Sequence, residues 1–302
     1  MATVKVGETL LELARANGRV SLFVVGTGKN VGKTVAMRAV VRAAAARGLV
    51  TGLTSTGRDG EAVDAADAQA KPRLFLTPGT VIATARNVLP AHPASEILDL
   101  TPWQTAAGRV VFARVRQAAY YELAGPATAS AIRACANRMR ELGCGQVVVD
   151  GAVDRVAALA GGGDAVIVAA GAAGTRTMEE AVDDVRALVA RMRIRAFDPL
   201  APFVRLSGAL TPAAASELLS ARERRQIVVR DPTQIAAGGK ALLGMLAHLD
   251  LRCERPIDVV AATIASIGRD RYYEPAAFSR AVAQATHLPV FDVYASAMVH
   301  AA

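Results

Sequence analysis

The chain has 302 residues, of which 52% are hydrophobic and 21% are charged, a balance that predicts a globular protein with a sizeable core. Aromatic residues make up only 4%, which argues against a stacking surface for single-stranded nucleic acid. Three cysteines without CxxC spacing and four scattered histidines exclude a disulfide scaffold and a zinc module. So few cysteines are typical of a reducing compartment, and we expect a cytoplasmic protein.

The formal charge of +8 does not form a binding stripe along the chain. The densest basic cluster, 222–225, is short and is interrupted by a glutamate, so we predict no nucleic-acid partner. Residues 2–18 read as an amphipathic helix rather than a signal peptide, and the apolar run after Asp164 is too short to span a bilayer. The sequence therefore predicts a soluble protein without a membrane partner, whose basic surface would help attract a phosphorylated ligand.

Short apolar runs alternate with helical patterns along most of the chain. A buried strand over Val20–Val25 is followed by a helix from Gly32 to Arg47, which Gly48 ends. Further strands are predicted near 49–54, 73–76, 109–115, 146–149, 165–169, 203–206, 227–230, 259–264 and 290–293. Further helices are predicted over 128–142, 177–192, 212–221, 233–248 and 275–286. This repetition predicts an α/β protein with parallel strands joined by helical crossovers.

A proline-rich segment, Phe197–Pro202, marks the predicted domain boundary. Residues 1–197 form the predicted nucleotide-binding domain. Residues 198–302 form a smaller C-terminal α/β portion, either an extension of the first sheet or a separate subdomain.

The strongest motif is a glycine-rich loop that lies between the first predicted strand and its helix. Its residues are Gly26, Thr27, Gly28, Lys29, Asn30, Val31, Gly32, Lys33 and Thr34. Glycines let successive main-chain N–H groups turn inward around an anion, and the helix that follows adds the positive end of its dipole. We expect Lys33 to reach the β- and γ-phosphates of a nucleotide, and the Thr34 hydroxyl to bind Mg²⁺. The spacing departs from the common motif, because position 27 is a threonine and the leading glycine is Gly26.

A second candidate is Asp150, which ends the apolar run Val147–Val149 and precedes Gly151. At the carboxyl end of a parallel strand, a carboxylate can hold Mg²⁺ directly or through water. The alternative is an aspartate that caps a turn, since Asp-Gly is common in turns. Gly171 ends a later strand in the same way, and we expect it to serve the backbone geometry near the nucleotide.

The segment from Phe23 to Val35, with its Gly-Thr-x-x-x-Val-Gly-Lys-Thr run, resembles the phosphate loop of dethiobiotin synthetases. These enzymes belong to the class of P-loop proteins that includes the MinD-like ATPases and cobyric acid synthases. They carry Glu-Gly-Ala where this chain has Asp150-Gly-Ala. The resemblance implies a three-layer, mainly parallel P-loop NTPase sheet with helices on both faces. It also implies ATP and Mg²⁺ as cofactors and the possibility of a homodimer.

The chain departs from dethiobiotin synthetases after the second predicted strand. The family has a Lys-Pro-Val segment there, whose lysine helps to fix the substrate, whereas this chain has no lysine between Lys33 and Lys71. We therefore do not expect dethiobiotin synthetase activity. The polar residues present instead are candidate substrate contacts, or form a solvated turn: Ser55, Thr56, Arg58, Asp59 and Glu61. The resemblance also implies a second acidic metal ligand in this stretch, for which Asp59, Glu61, Asp64 and Asp67 compete. Asp64 is our choice among them, because Asp64-Ala65 most resembles the Asp-Ala pair of the family.

Two functions fit these observations. The first is an ATP-dependent enzyme that activates a carboxylate or carbamate of a small acidic substrate by phosphoryl transfer, with Lys33 and Asp150 as the catalytic residues. The second is an ATPase switch that acts as a chaperone or reactivating factor for a partner enzyme, with residues 55–67 as the switch. A missing general base does not decide between them, because phosphoryl transfer works mainly by positioning and charge stabilisation.

Overall fold

The computed structural model of the chain describes residues 2–56, 73–90, 93–151 and 164–294. In these residues it has fourteen strands and seven α-helices, and parallel pairings predominate between the strands of the main sheet. The predicted α/β class is therefore confirmed. The chain divides into two compact units, the first comprising residues 1–24 and 33–158 and the second residues 25–32 and 159–302. The predicted boundary at 197/198 falls within the second unit.

Most of the predicted elements are present, with small shifts at their ends. The helices are α1 (Ala2–Arg15), α2 (Lys33–Ala46), α3 (Ala129–Glu141), α4 (Met178–Met192), α5 (Pro212–Ser220), α6 (Gly239–His248) and α7 (Pro275–Thr286). The strands are β1 (Ser21–Gly26), β2 (Thr51–Ser55), β3 (Leu74–Leu76), β4 (Val81–Ala85), β5 (Ser95–Thr105), β6 (Gly108–Val115), β7 (Ala119–Tyr121), β8 (Gln146–Asp150), β9 (Ala165–Gly171), β10 (Phe203–Arg205), β11 (Gln226–Val229), β12 (Leu251–Cys253), β13 (Asp258–Ala265) and β14 (Val290–Asp292).

In the first unit, the strands of the main sheet lie in the order β1-β8-β2-β4-β6-β5. The first four are parallel, because helical crossovers such as α2 return the chain to the same edge of the sheet. The strands β1 and β8 are buried along almost their whole length, which explains their continuous apolar runs. Their carboxyl ends therefore lie side by side at one edge of the sheet.

The main sheet is mainly parallel, as expected, and its antiparallel pairs lie in the middle of the chain. Strand β6 pairs antiparallel with both β4 and β5, and β3 pairs antiparallel with β7. The strands β4, β5, β7 and β12 are absent from the sequence prediction. Strand β5 escapes a search for apolar runs because it is largely exposed and is interrupted by register shifts.

The N-terminal helix α1 confirms the predicted amphipathic pattern, although it ends at Arg15. Its apolar side buries Leu10, Leu11 and Ala14. It packs closely on α2, since a Cβ at Gly7 would lie 2.3 Å from the main-chain oxygen of Ala39. Among the helices that the structure describes, none combines the length and the apolar composition needed to cross a bilayer.

In the second unit, β14, β13 and β9 form parallel pairs, and a separate sheet consists of the parallel strands β10-β11-β12. Helix α4 packs on β9 and on α6. It begins at the predicted cap, where the Thr177 side chain accepts a hydrogen bond from the Glu180 N–H. A core of buried residues such as Leu210, Ile227 and Leu251 joins the small sheet to α4, α5 and α6.

Candidate functional site

The glycine-rich loop joins the end of β1 to the start of α2, as the motif predicts. Gly26 is the last residue of the buried strand, and Lys33 and Thr34 are the first residues of the helix. Both side chains are half-buried, whereas Gly28, Lys29 and Asn30 are exposed. The first N–H groups of an α-helix have no partner within the helix, so the segment that enters α2 presents donors to an anion.

Two residues give this loop its sharp turn. Asn30 has φ 57° and Gly32 has φ 88°, so both adopt the left-handed conformation that glycine tolerates best. Gly32 is also tightly enclosed, because a Cβ there would lie 3.0 Å from Val293 and 3.1 Å from Ala265. Position 32 therefore requires glycine for two reasons, its backbone angle and its neighbours.

The strand β9 supports the loop inside the second unit. The N–H of Thr27 donates to the main-chain oxygen of Ala169 at 2.9 Å. At the end of β9, a Cβ on Gly171 would lie 2.8 Å from the Cα of Val31, so only glycine permits this approach. This close approach agrees with the expected backbone role of Gly171, and its nearness to a nucleotide stays a prediction.

Asp150 ends β8, which is the strand next to β1. It is in register with Val24 of β1 on one side and with Ser55 of β2 on the other. Its main-chain oxygen accepts a hydrogen bond from the Thr56 N–H at 2.8 Å, and the Gly151 N–H donates to Val24 at 2.9 Å. The half-buried Asp150 side chain thus lies at the sheet edge where the glycine-rich loop leaves β1.

The polar residues at the end of β2 tie strands together. The Ser55 hydroxyl donates to the Leu123 oxygen at 2.9 Å and accepts from the Gly125 N–H at 3.2 Å, while the Thr54 hydroxyl donates to the Ala83 oxygen at 2.9 Å. A Cβ on Gly125 would lie 2.1 Å from the Ser55 oxygen, so this contact is very close. The Ser55 hydroxyl therefore has a structural role.

Of the other predicted residues of this stretch, the structure describes Thr56 and leaves the remaining ones outside the described ranges. Thr56 is buried and follows β2 directly. The remaining candidates, both for substrate contacts and for the second metal ligand, lie outside the described residues: Arg58, Asp59, Glu61, Asp64 and Asp67. The structure therefore brings Asp150 and Thr56 together, through the main chain.

The described residues include two oxygen donors of the kind that suits a magnesium nucleotide. Within the described residues, no cluster of three or more His, Cys, Asp or Glu side chains is arranged to hold a metal ion. Mg²⁺ usually takes one or two protein oxygens and completes its shell with water and phosphate oxygens. The hydroxyl of Thr34 and the carboxylate of Asp150 are oxygen donors of this kind.

Sequence reasoning overlooked a set of residues that the second unit gathers at the end of the small sheet. Arg205, Arg230 and Glu254 line a cleft there together with Gln234. They are far apart in the chain and form no motif, so only the strand pairing β10-β11-β12 could have indicated them.

No protein-family model matches this chain, and no curated protein or solved structure matches it either. The likeness to dethiobiotin synthetases rests on the glycine-rich loop and on the segment around Asp150. The proposals below are therefore argued from the geometry of those two segments.

Proposed function

We propose that this protein is a P-loop NTPase that binds Mg²⁺ and ATP, built on a three-layer sheet of the dethiobiotin synthetase-like class. The observation that carries the proposal is the loop Gly26–Thr34, which leaves a buried parallel strand, turns through left-handed Gly32 and enters α2 at Lys33. Asp150, at the end of the adjacent strand, supports the same reading. ATP rather than another nucleotide is proposed from the family resemblance.

Each residue of the motif has a chemical role in this proposal. The main-chain N–H groups of residues 28–34 bind phosphate oxygens, and Lys33 stabilises the charge that develops on the γ-phosphate. Thr34 and Asp150 bind the magnesium ion, Asp150 directly or through a water. The ion, when bound, neutralises the phosphate oxygens during transfer.

The first proposed activity is ATP-dependent activation of a carboxylate or carbamate on a small acidic substrate. The alternative is an ATPase switch for a protein partner, and one observation favours it. The Thr56 N–H donates to the Asp150 main-chain oxygen, so the proposed metal ligand is hydrogen-bonded to a residue of the predicted switch, 55–67. The Ser55 hydroxyl, in contrast, is engaged in the fold, which removes one of the candidate substrate contacts.

Calorimetry with Mg²⁺ and ATP tests the nucleotide site. We expect saturable binding by the natural chain, and hydrolysis that Asp150→Asn weakens by about 10-fold or more because a metal ligand loses its charge. Asp183→Asn is the matched control, since it makes the same change at a partly exposed aspartate of α4, outside the proposed site. Absence of magnesium-dependent binding of any nucleoside triphosphate would contradict the proposal.

The choice between the two activities requires a second measurement. ATP hydrolysis by the purified chain is compared after addition of a pool of small carboxylic acids and after addition of a macromolecular fraction. Stimulation by the acids supports the ligase-type enzyme. Stimulation by macromolecules alone supports the switch, and light scattering with and without nucleotide would then report whether a homodimer forms.

A cytoplasmic location is part of the proposal. The cysteines Cys135, Cys144 and Cys253 are free thiols buried in the fold. Free thiols persist in a reducing compartment. Fractionation of cells that produce the protein would test this point.

A further inference from the structure

The small sheet of the second unit ends in a cleft of about 400 Å³. The cleft is lined by residues that follow β10, β11 and β12, so it lies at the carboxyl ends of three parallel strands. Open α/β sheets bind their ligands at this edge, and ligand pockets commonly have volumes of about 300–1,000 Å³. The position and the size both fit a small-molecule site.

One wall of the cleft holds an arginine in a fixed position. The Arg205 guanidinium lies 4.9 Å from the ring centre of Phe203 and 5.5 Å from that of Phe197, and its Nε donates to Glu254 at 2.7 Å. Among the described residues, the hydrogen bond that the Arg205 side chain makes comes from its Nε, which donates to Glu254. The side chain of Arg205 is 57% exposed. The terminal nitrogens are therefore available for a bidentate contact with an oxyanion.

A second arginine and a glutamine complete the cleft. Arg230 follows β11, and its Nε donates to the buried Asp231 at 3.1 Å while 62% of its side chain is exposed. Gln234 accepts from the Arg230 N–H at 2.7 Å and donates to the main-chain oxygens of Leu206 and Gly208. This glutamine fixes the loop after β10 against the end of β11, so the cleft is formed without a ligand.

The arginines of the cleft, rather than its net charge, favour an anion. Each is paired through its Nε with one carboxylate, Arg205 with Glu254 and Arg230 with Asp231, and the terminal nitrogens of an arginine fork match the geometry of carboxylate and phosphate groups. The neighbouring strands β10 and β11 lie about 4.8 Å apart, so side chains at their ends can contact one small ligand together. Within the second unit, the sheet that carries this cleft is distinct from the sheet of β9, the strand that supports the glycine-rich loop.

We propose that the cleft at the carboxyl ends of β10, β11 and β12 is a second ligand site, which binds a small molecule through a carboxylate or phosphate group. Arg205 and Arg230 bind the oxyanion, and Gln234 holds the loop that closes one side. The proposal does not rest on the proposed nucleotide site, so the two proposals can be contradicted separately.

The test uses the full chain with Lys33→Ala as the background, which weakens the binding of phosphate probes to the glycine-rich loop, and the cleft variants then report the share of the binding that belongs to the cleft. Calorimetric titrations with inorganic phosphate, pyrophosphate and succinate distinguish the phosphate and carboxylate sources. Arg205→Gln removes one anion contact. Gly208→Phe fills the cleft, and it is compatible with the fold because a Cβ at Gly208 has nothing within 4 Å.

Two matched controls lie outside the cleft. Arg47→Gln removes another exposed arginine that is paired with a glutamate, and Gly244→Phe adds a ring at another glycine with nothing within 4 Å. We expect at least one probe to bind with a Kd of about 1 mM or tighter. Both cleft variants should weaken that binding by about 10-fold or more, and both controls should leave it unchanged.

Two results would overturn the proposal. One is that none of the three probes gives a saturable titration. The other is binding of equal strength in the cleft variants and the controls, which would place the anion elsewhere on this basic chain.

Discussion

The glycine-rich loop and the cleft of the small sheet both lie at the carboxyl ends of parallel strands, but the chain builds them differently. The loop is one contiguous run, Gly26–Thr34, whose backbone is restricted at Gly32. The cleft collects Arg205, Arg230 and Glu254 from three separate strand ends. A contiguous site leaves a motif in the sequence, whereas a site assembled by strand pairing leaves none.

The largest expected effect is on ATP turnover, which a substitution in the loop should lower and a substitution in the cleft should not. Lys33→Ala should lower ATP turnover by about 100-fold or more, because the proposed function gives Lys33 the charge that stabilises the transferred phosphate. Arg205→Gln should leave turnover unchanged, because that arginine belongs to the other sheet. Steady-state hydrolysis of both variants measures this difference.

Two outcomes would break this comparison. Equal turnover of Lys33→Ala and the natural chain would remove the phosphate role of the loop. A large loss in Arg205→Gln would show that the cleft and the ATPase work as one site.

The next effect concerns the backbone of the two regions. Gly32→Ala should lower the free energy of unfolding by about 1–3 kcal/mol, since its φ of 88° and its contacts with Val293 and Ala265 oppose a Cβ. Gly208→Ala, at a position with open space, should change it by less than about 0.5 kcal/mol. Urea unfolding of both variants provides the measurement, and similar losses would show that the loop is no more restricted than the cleft.

The sequence predicts the parts of the fold that depend on interactions between residues close together in the chain. The apolar runs of β1 and β8, the cap at Thr177 and the glycine-rich loop all depend on neighbours in the chain, and the structure places them as predicted. The antiparallel pairing of β6 and the exposed strand β5 depend on distant partners, so local patterns did not indicate them.

The same distinction holds for the candidate site. The position of Asp150 beside β1 follows from the strand pattern, and the structure agrees. The partner of the Ser55 hydroxyl is Leu123, 68 residues away, so no local reading could separate its structural role from substrate binding. The roles of Lys33, Thr34 and Asp150 toward a nucleotide stay predictions.

A smaller effect concerns the thiols, which report on each region separately. Burial raises the pKa of Cys135 in α3 from 9.0 to about 12, and it raises the pKa of Cys253 in β12 from 9.0 to about 11. At pH 8, alkylation of the folded chain should be about 10-fold or more slower than alkylation of the unfolded chain. Peptide mass spectrometry across a pH series should show both Cys135 and Cys253 reacting only above pH 9.0 in the folded chain.

The raised pKa values of these thiols determine how the free energy of unfolding changes with pH. Above pH 9.0 the unfolded chain releases thiol protons that the folded chain keeps, so the free energy of unfolding falls as the pH rises toward about 12. The stabilisation is present in full below pH 9.0. Rapid alkylation of both cysteines at pH 8 would show that neither thiol is protected in solution.

The smallest expected effect is the loss of stability in Arg205→Gln. A small loss would indicate that Arg205 serves to bind a ligand rather than to stabilise the fold. Its ion pair with Glu254 joins side chains that are 57% and 34% exposed, and such pairs contribute about 0–1 kcal/mol. Arg205→Gln should therefore lower the free energy of unfolding by less than about 1 kcal/mol while it weakens anion binding in the cleft. Leu210→Ala supplies the contrast, because Leu210 is fully buried in the core of the same sheet and its truncation should cost about 2–5 kcal/mol. If Arg205→Gln destabilises the chain as much as Leu210→Ala does, the arginine stabilises the small sheet. Arg205 would then no longer support the proposal that the cleft binds an anion.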